Sequence, residues 1–173
     1  MRVVGIIAEY DPFHNGHAYH LKKAVEMTGA QAAVAVISGS FTQRGSAAFY
    51  DKGARTAAAL AAGADLVLEL PHIYACNAGA EFAYGAMAVL EGTGVVTDLV
   101  FGSECGDTAA LLRTAKALEG NAFQAALRAE LTKGDSFAAA RQRAVAALLS
   151  PSDAALLSDP NNTLGIEYCR ALL

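Results

Sequence analysis

Four short runs rich in β-branched residues punctuate the first 102 positions: VVGIIA (3–8), AAVAVIS (32–38), DLVLEL (65–70) and TDLVFG (97–102). Each is continuously apolar rather than alternating, the pattern of a strand covered on both faces. Between them, residues 16–28, 51–62 and 79–91 are longer, alanine-rich and helical in period. Strand, helix and strand recurring in this way predict an α/β fold: a parallel sheet, doubly wound, with right-handed crossovers.

The character changes after Gly106. Residues 107–119, 122–133 and 136–149 are helical segments with no strand between them, so we expect an α/β core over 1–106 and a helical part over 107–173. SDPNNTLG (158–165) reads as a turn. The final TLGIEYCRALL has a helical pattern but stops at Leu173 without a capping glycine or polar tail, the end expected of a catalytic domain cut from a longer parent.

Composition narrows the classes. Hydrophobic residues make up 54% of the chain, yet charges interrupt every long apolar stretch, so no membrane span is expected. The N-terminus lacks a cleavable leader pattern, and Cys76, Cys105 and Cys169 form neither a disulfide frame nor a CxxC pair. The expected compartment is the cytoplasm. A net charge of −4 argues against these residues gripping nucleic acid mainly through phosphates.

The chemistry concentrates where the first strand gives out. IIAEYDPFHNGHAYH (6–20) places His14, His17 and His20 within seven positions. In open α/β sheets, ligands bind beyond the carboxyl ends of strands. Asp11-Pro12 turns the chain there, and Asn15-Gly16 starts a helix whose free N–H groups favour an anion. His14 and His17, three apart, can face one space and donate to phosphate oxygens without a permanent charge. Gly16 leaves room for a nucleotide to approach the backbone. The chemistry suggested is adenylyl transfer by positioning and electrostatics, with His14 and His17 as catalytic residues. His20, one turn later, either joins the site or covers the helix. No acidic or cysteine partner stands at zinc-ligand spacing, so no metal site is expected.

Six motifs in order extend this reading: GIIAEYDPFHNGHAYHL, VISGSFTQRGSAAFYDK, GADLVLELPHIYA, AEFAYGAMAVL, LVFGSE and PNNTLGIEYCRAL. Over essentially the whole chain they resemble the tRNA(Met) cytidine acetate ligase family of the HxGH nucleotidyltransferase superfamily. The resemblance implies a Rossmann-like fold and a ligase in two steps. ATP and acetate would give acetyl-adenylate, and the acetyl group would pass to N4 of the wobble cytidine of elongator tRNA(Met). ATP, arriving with Mg²⁺, would lie along Ile7, Ala8, Glu9, Tyr10, Phe13, His14, Asn15, Gly16, His17 and His20. Gly102, Ser103 and an asparagine of the PNN turn, Asn162 or alternatively Asn161, would complete the contacts. Most tRNA contacts would come from a basic region beyond this chain. Two positions depart from the family: Asp11 stands where asparagine is frequent, and Gly53 where tryptophan commonly follows the Asp-Lys pair. A small-molecule adenylyltransferase and an ATP-binding module without catalysis are the alternatives.

The loop leaving the second strand, SGSFTQRGSAAFYDKGAR (38–55), offers Ser38, Gly39, Ser40, Arg44 and Lys52 as contacts for acetate or phosphate. Asp51 reads as a helix cap and Cys105 lacks the basic partner a nucleophile needs. His72 reads as a loop residue. Phe82, Tyr84, Met87 and Leu90 read as core packing.

Overall fold

A computed structural model describes residues 1–134 and 136–173. They divide into two compact units, Met1–Phe101 and Gly102–Leu173. The first unit carries β1 (Val3–Ala8), α1 (Asn15–Thr28), β2 (Ala32–Ser38), α2 (Lys52–Ala61), β3 (Leu66–Leu70), α3 (His72–Ala75), α4 (Gly79–Gly92) and β4 (Asp98–Leu99). The four strands form one sheet in the order β3-β2-β1-β4, every pair parallel. The α/β class expected from the alternation is the one observed.

Strand alternation divides the helices between the two faces. Val4 and Ile6 of β1 and Ala33, Ala35 and Ile37 of β2 bury against Leu21 and Ala24 of α1 and Ala59 of α2. Gly5 points the other way, where a Cβ would come within 2.9 Å of Leu90 Cδ1 on α4. Burying a side chain the size of Leu21 or Ile6 contributes about 1.5–3 kcal/mol. α1 stops at Gly29, whose φ of 63° caps the helix in the left-handed region.

Three expectations for the first unit need correction. β3 is an edge strand, not buried on both faces, and Leu66 is 42% exposed. β4 shrinks from the expected 97–102 to two residues, because its ladder with β1 runs only from Thr97 N–H donating to Val3 O to Val100 N–H donating to Gly5 O. Tyr84 lies outside the core: the buried stripe of α4 is Phe82, Ala86 and Leu90, four apart, and Tyr84 projects from another side.

The second unit is helical: α5 (Thr108–Glu119), α6 (Asn121–Leu131), α7 (Phe137–Leu148), α8 (Pro151–Ala155) and α9 (Pro160–Ala171), with a 3₁₀ turn over Leu156–Ser158. Leu111, Ala115 and Leu118 of α5, Phe123 of α6, Ala140 and Ala144 of α7 and Ile166 of α9 are buried. Small alanines let these helices approach closely. The segment expected to be a turn, 158–165, is mostly the start of α9. Pro160 takes the first helical position, where a missing N–H costs nothing. Among the described residues no helix is long and apolar enough to cross a membrane.

Candidate active site

The chain runs from β1 outward through β2 to β3, then crosses back to lay β4 on the other flank of β1. Strand order therefore reverses beside β1, and its carboxyl end is the topological switch point where such sheets hold ligands. Ile7 is buried and Ala8 half-buried at that edge. The exit passes through Tyr10 at φ 54°, a left-handed conformation that costs a bulky residue about 1–3 kcal/mol. Its ring is held by the core, 1% exposed, and burial pushes its phenol up to about 12. The following Asp11–Pro12 peptide is cis.

Two histidines then cap α1 reciprocally. His14 is the N-cap, and Gly16 N–H donates to its Nδ1 (3.0 Å). His17, three residues on, returns the bond: His14 N–H donates to His17 Nδ1 (3.3 Å). This is a capping box in which imidazoles replace the usual hydroxyl and carboxylate. Because each Nδ1 accepts, each neutral ring must carry its proton on Nε2. The rings stack at 3.7 Å with 20° between their planes, and each keeps its Nε2–H outside the cap. A Cβ on Gly16 would lie 2.9 Å from the His14 ring, so that glycine is required by the cap itself.

His17 also touches Tyr10 (4.9 Å) and Phe13 (5.6 Å). Burial, then the neighbouring His14 and His20 rings, lowers its pKa from 6.5 to about 4. Burial also lowers His20, whose Nε2 is enclosed without a hydrogen-bond partner among the described residues. The folded chain thus keeps His17 neutral where the unfolded chain would protonate it. Between pH 6.5 and about 4 the unfolded state binds more protons, so stability is fully present above that window and declines as pH falls through it. NMR titration of the ring protons should place His17 near 4, and His17→Asn should flatten the acid side of the denaturation profile; a midpoint near 6.5 would contradict the geometry.

The loop over residues 39–50 is fastened from three sides. Glu9 accepts from Gln43 N–H, and the Asp11 carboxylate accepts from Phe49 N–H (2.8 Å) and Tyr50 N–H (3.1 Å). Asp11 thus turns its charge toward loop amides. The third fastening is Arg55, 1% exposed, which donates to the carbonyls of Tyr50, Glu9, Ser38 and Gly39. Asp51 caps α2 as expected, accepting from Ala54 N–H at 3.0 Å.

Of the residues expected to contact acetate or phosphate, Ser38 and Gly39 are buried at the end of β2. Ser40 and Arg44 are exposed, and Lys52 pairs with Glu69 at 2.6 Å on the surface. Sequence reasoning gave Arg55 no role, although the signal was present: an arginine four residues before Ala59 falls on the buried stripe of an alanine-rich helix.

The second unit has its own polar knot. Glu104 reaches the start of α9, accepting from Asn161 N–H (3.1 Å), Asn161 Nδ2 (2.9 Å) and Asn162 N–H (2.7 Å). Desolvation pushes this carboxyl upward, but those bonds outweigh it and leave it below its ordinary value. Asn162 is 1% exposed; its Oδ1 accepts from Cys105 N–H (3.0 Å) and its Nδ2 donates to Asp159 (3.1 Å). Asn161 is exposed. Ser103 Oγ accepts from Gly106 N–H, and a Cβ on Gly102 would meet no protein atom within 4 Å.

Comparison with known proteins places this geometry. The sequence profile of the HIGH nucleotidyl transferase family matches residues 1–173. Curated relatives named tRNA(Met) cytidine acetate ligase include one from Caldicellulosiruptor saccharolyticus, 49% identical over all of this chain and 43% of its own length. Another, from Syntrophotalea carbinolica, is 51% identical over 99% of this chain and 42% of its own. The crystal structure of Thermotoga maritima TmcAL bound with alpha-thio ATP superposes with a TM-score of 0.95 at 44% identity, covering 99% of this chain and 43% of that one. The chain spans less than half the length of the relatives it matches. It belongs to the HIGH nucleotidyl transferase family.

Proposed function

We propose that this chain is the adenylate-forming part of a tRNA(Met) cytidine acetate ligase. The observation that carries the reading is the pair of stacked imidazoles whose reciprocal caps leave two Nε2–H donors at the switch point. ATP lies against this helix start, along Ile7 to His20. An acetate oxygen attacks the α-phosphorus, the bond to the bridging oxygen of pyrophosphate breaks, and no proton moves because acetate is already ionised. His14 and His17 donate to oxygens on which charge grows, which is where fixed donors lower a barrier most. In the second step N4 of the wobble cytidine attacks the acetyl carbon, the bond to the AMP oxygen breaks, AMP leaves and the amine releases one proton to solvent.

The greater part of the tRNA contacts is assigned to the length that the relatives carry beyond the match, in keeping with a net charge of −4 here. Gly102, Ser103 and Asn162, or alternatively the exposed Asn161, are assigned to the nucleotide; the carboxamide of Asn162 also bonds Cys105 N–H and Asp159. Mg²⁺ would enter on the triphosphate, held by phosphates and water. The setting is the cytoplasm, where tRNA is modified.

Labelled pyrophosphate should exchange into ATP only when acetate is present, and nucleoside mass spectrometry should find N4-acetylcytidine once the longer protein is supplied with tRNA(Met). Turnover only with a mononucleotide or phosphopantetheine would replace this reading by a small-molecule adenylyltransferase. ATP binding without exchange would leave a binding module without catalysis.

A further inference from the structure

Tyr10 is a bulky residue at φ 54°, a conformation that glycine or asparagine takes at less cost, so its surroundings must hold it there. Its side chain is 1% exposed and packs in the core with Val4 and Ile6 of β1 and Leu21 and Ala24 of α1. The phenol oxygen is buried without a hydrogen-bond partner among the described residues, so packing rather than hydrogen bonding fixes the ring. What the ring touches on its other side is the candidate site. Its centroid lies 4.8 Å from that of Phe13, edge to face at 70°, and 4.9 Å from that of His17, tilted by 59°. Phe13 closes the triangle at 5.6 Å from His17.

We infer that Tyr10 is a positioning residue, its ring and that of Phe13 forming a bracket that fixes the His17 imidazole against His14. The part this plays in catalysis rests on the reading proposed above; the bracket itself rests on ring geometry alone. The contacts run from core to donor: β1 and α1 hold Tyr10, Tyr10 and Phe13 hold His17, and His17 stacks on His14 at 3.7 Å. Both capping bonds go to Nδ1, so each ties one edge of a ring and leaves the plane to be set by what lies against it. Aromatic rings at these separations settle into tilted and edge-to-face arrangements, which supply that restraint. Tyr10 turns almost no surface outward, so its side chain acts on a ligand through His17 and Phe13 rather than by touching it. A donor that meets charge in a transition state must keep its place closely, since a misplacement of about 1 Å costs about a hundredfold in rate. The same enclosure explains why burial is the leading cause of the lowered pKa of His17.

Tyr10→Leu keeps an apolar side chain in the core and removes the ring. It should lower kcat for acetate-dependent pyrophosphate exchange by about tenfold or more and hold the KM for ATP within about twofold, because the donor is displaced rather than deleted. In the same variant the His17 imidazole, followed by NMR, should titrate above about 4, toward 6.5. Tyr10→Phe restores the ring without the phenol and should recover both readings. Should Tyr10→Leu fail to fold, Phe13→Leu, at a half-buried position, is read by the same His17 titration. A folded Tyr10→Leu with the wild-type kcat, or with His17 still titrating near 4, overturns the inference. A Tyr10→Phe variant as slow as Tyr10→Leu overturns it too, because the phenol rather than the ring would then be at work. If the wild-type chain shows no acetate-dependent exchange, the ligase reading falls, while the His17 midpoints in the variants still decide whether the bracket holds that ring.

Discussion

Replacing His14 with asparagine should slow acetyl-adenylate formation by about a hundred- to a thousand-fold while the denaturation midpoint stays near that of the wild-type chain. Asparagine is among the best N-cap residues, and its Oδ1 can accept from Gly16 N–H as His14 Nδ1 does now. What it lacks is the Nε2–H on the far side of the ring. The substitution therefore separates two duties that one imidazole performs, closing the helix and donating to the reacting phosphate. His14→Ala loses both and should also cost about 1 kcal/mol of stability through the missing cap. Rates come from pyrophosphate exchange and stability from urea denaturation of the same samples. An asparagine variant that keeps the wild-type rate would mean that the ring is present for the cap alone. His17→Asn is the companion case. It too removes an Nε2–H donor, and it additionally ends the stacking that holds the first ring in place.

The reading of HNGH as a helix start needed only local information, because a cap, a glycine and a first turn are set by neighbours in sequence. The same holds for the Asp51 cap and for the three long apolar runs that became β1, β2 and β3. What sequence could not convey depends on residues far apart along the chain. Arg55 meets Glu9, 46 residues away, and Glu104 meets Asn162 across 58 positions. Neither pairing has a periodic signature. Asn162, to which the family resemblance assigns a nucleotide contact, also bonds Cys105 and Asp159 through the two ends of its carboxamide, which its place in sequence does not announce. Pro160 misled for a different reason, since proline reads as a break but is well suited to the first helical position. The sequence thus announced where the first helix starts; the partners that shape the surrounding loops had to be seen.

The largest stability effect is expected at Glu167, on the buried middle of α9, where Gly165 to Cys169 are all enclosed. Its carboxylate bonds Arg141 of α7 through one oxygen and Arg170 through the other at 2.7 Å. Arg170 in turn reaches Glu119 of α5 at 2.7 Å, so one network ties three helices of the second unit. The side chains of Glu167 and Arg141 are only 5% and 14% exposed, which sets this pair apart from surface contacts such as Lys52–Glu69. Removing one member of a buried pair strands the other charge away from water, a cost of about 3–5 kcal/mol. Glu167→Ala should therefore lower the urea stability of the chain by about 3 kcal/mol or more, with Arg141 as the stranded group. Glu119 still holds Arg170, which limits the damage on that side. Replacing both members, Arg141→Met with Glu167→Met, should recover most of the loss, because two apolar groups leave no charge to solvate. A double variant as unstable as the single one would show that the ion pair stabilises these helices in itself, rather than that each charge merely requires the other.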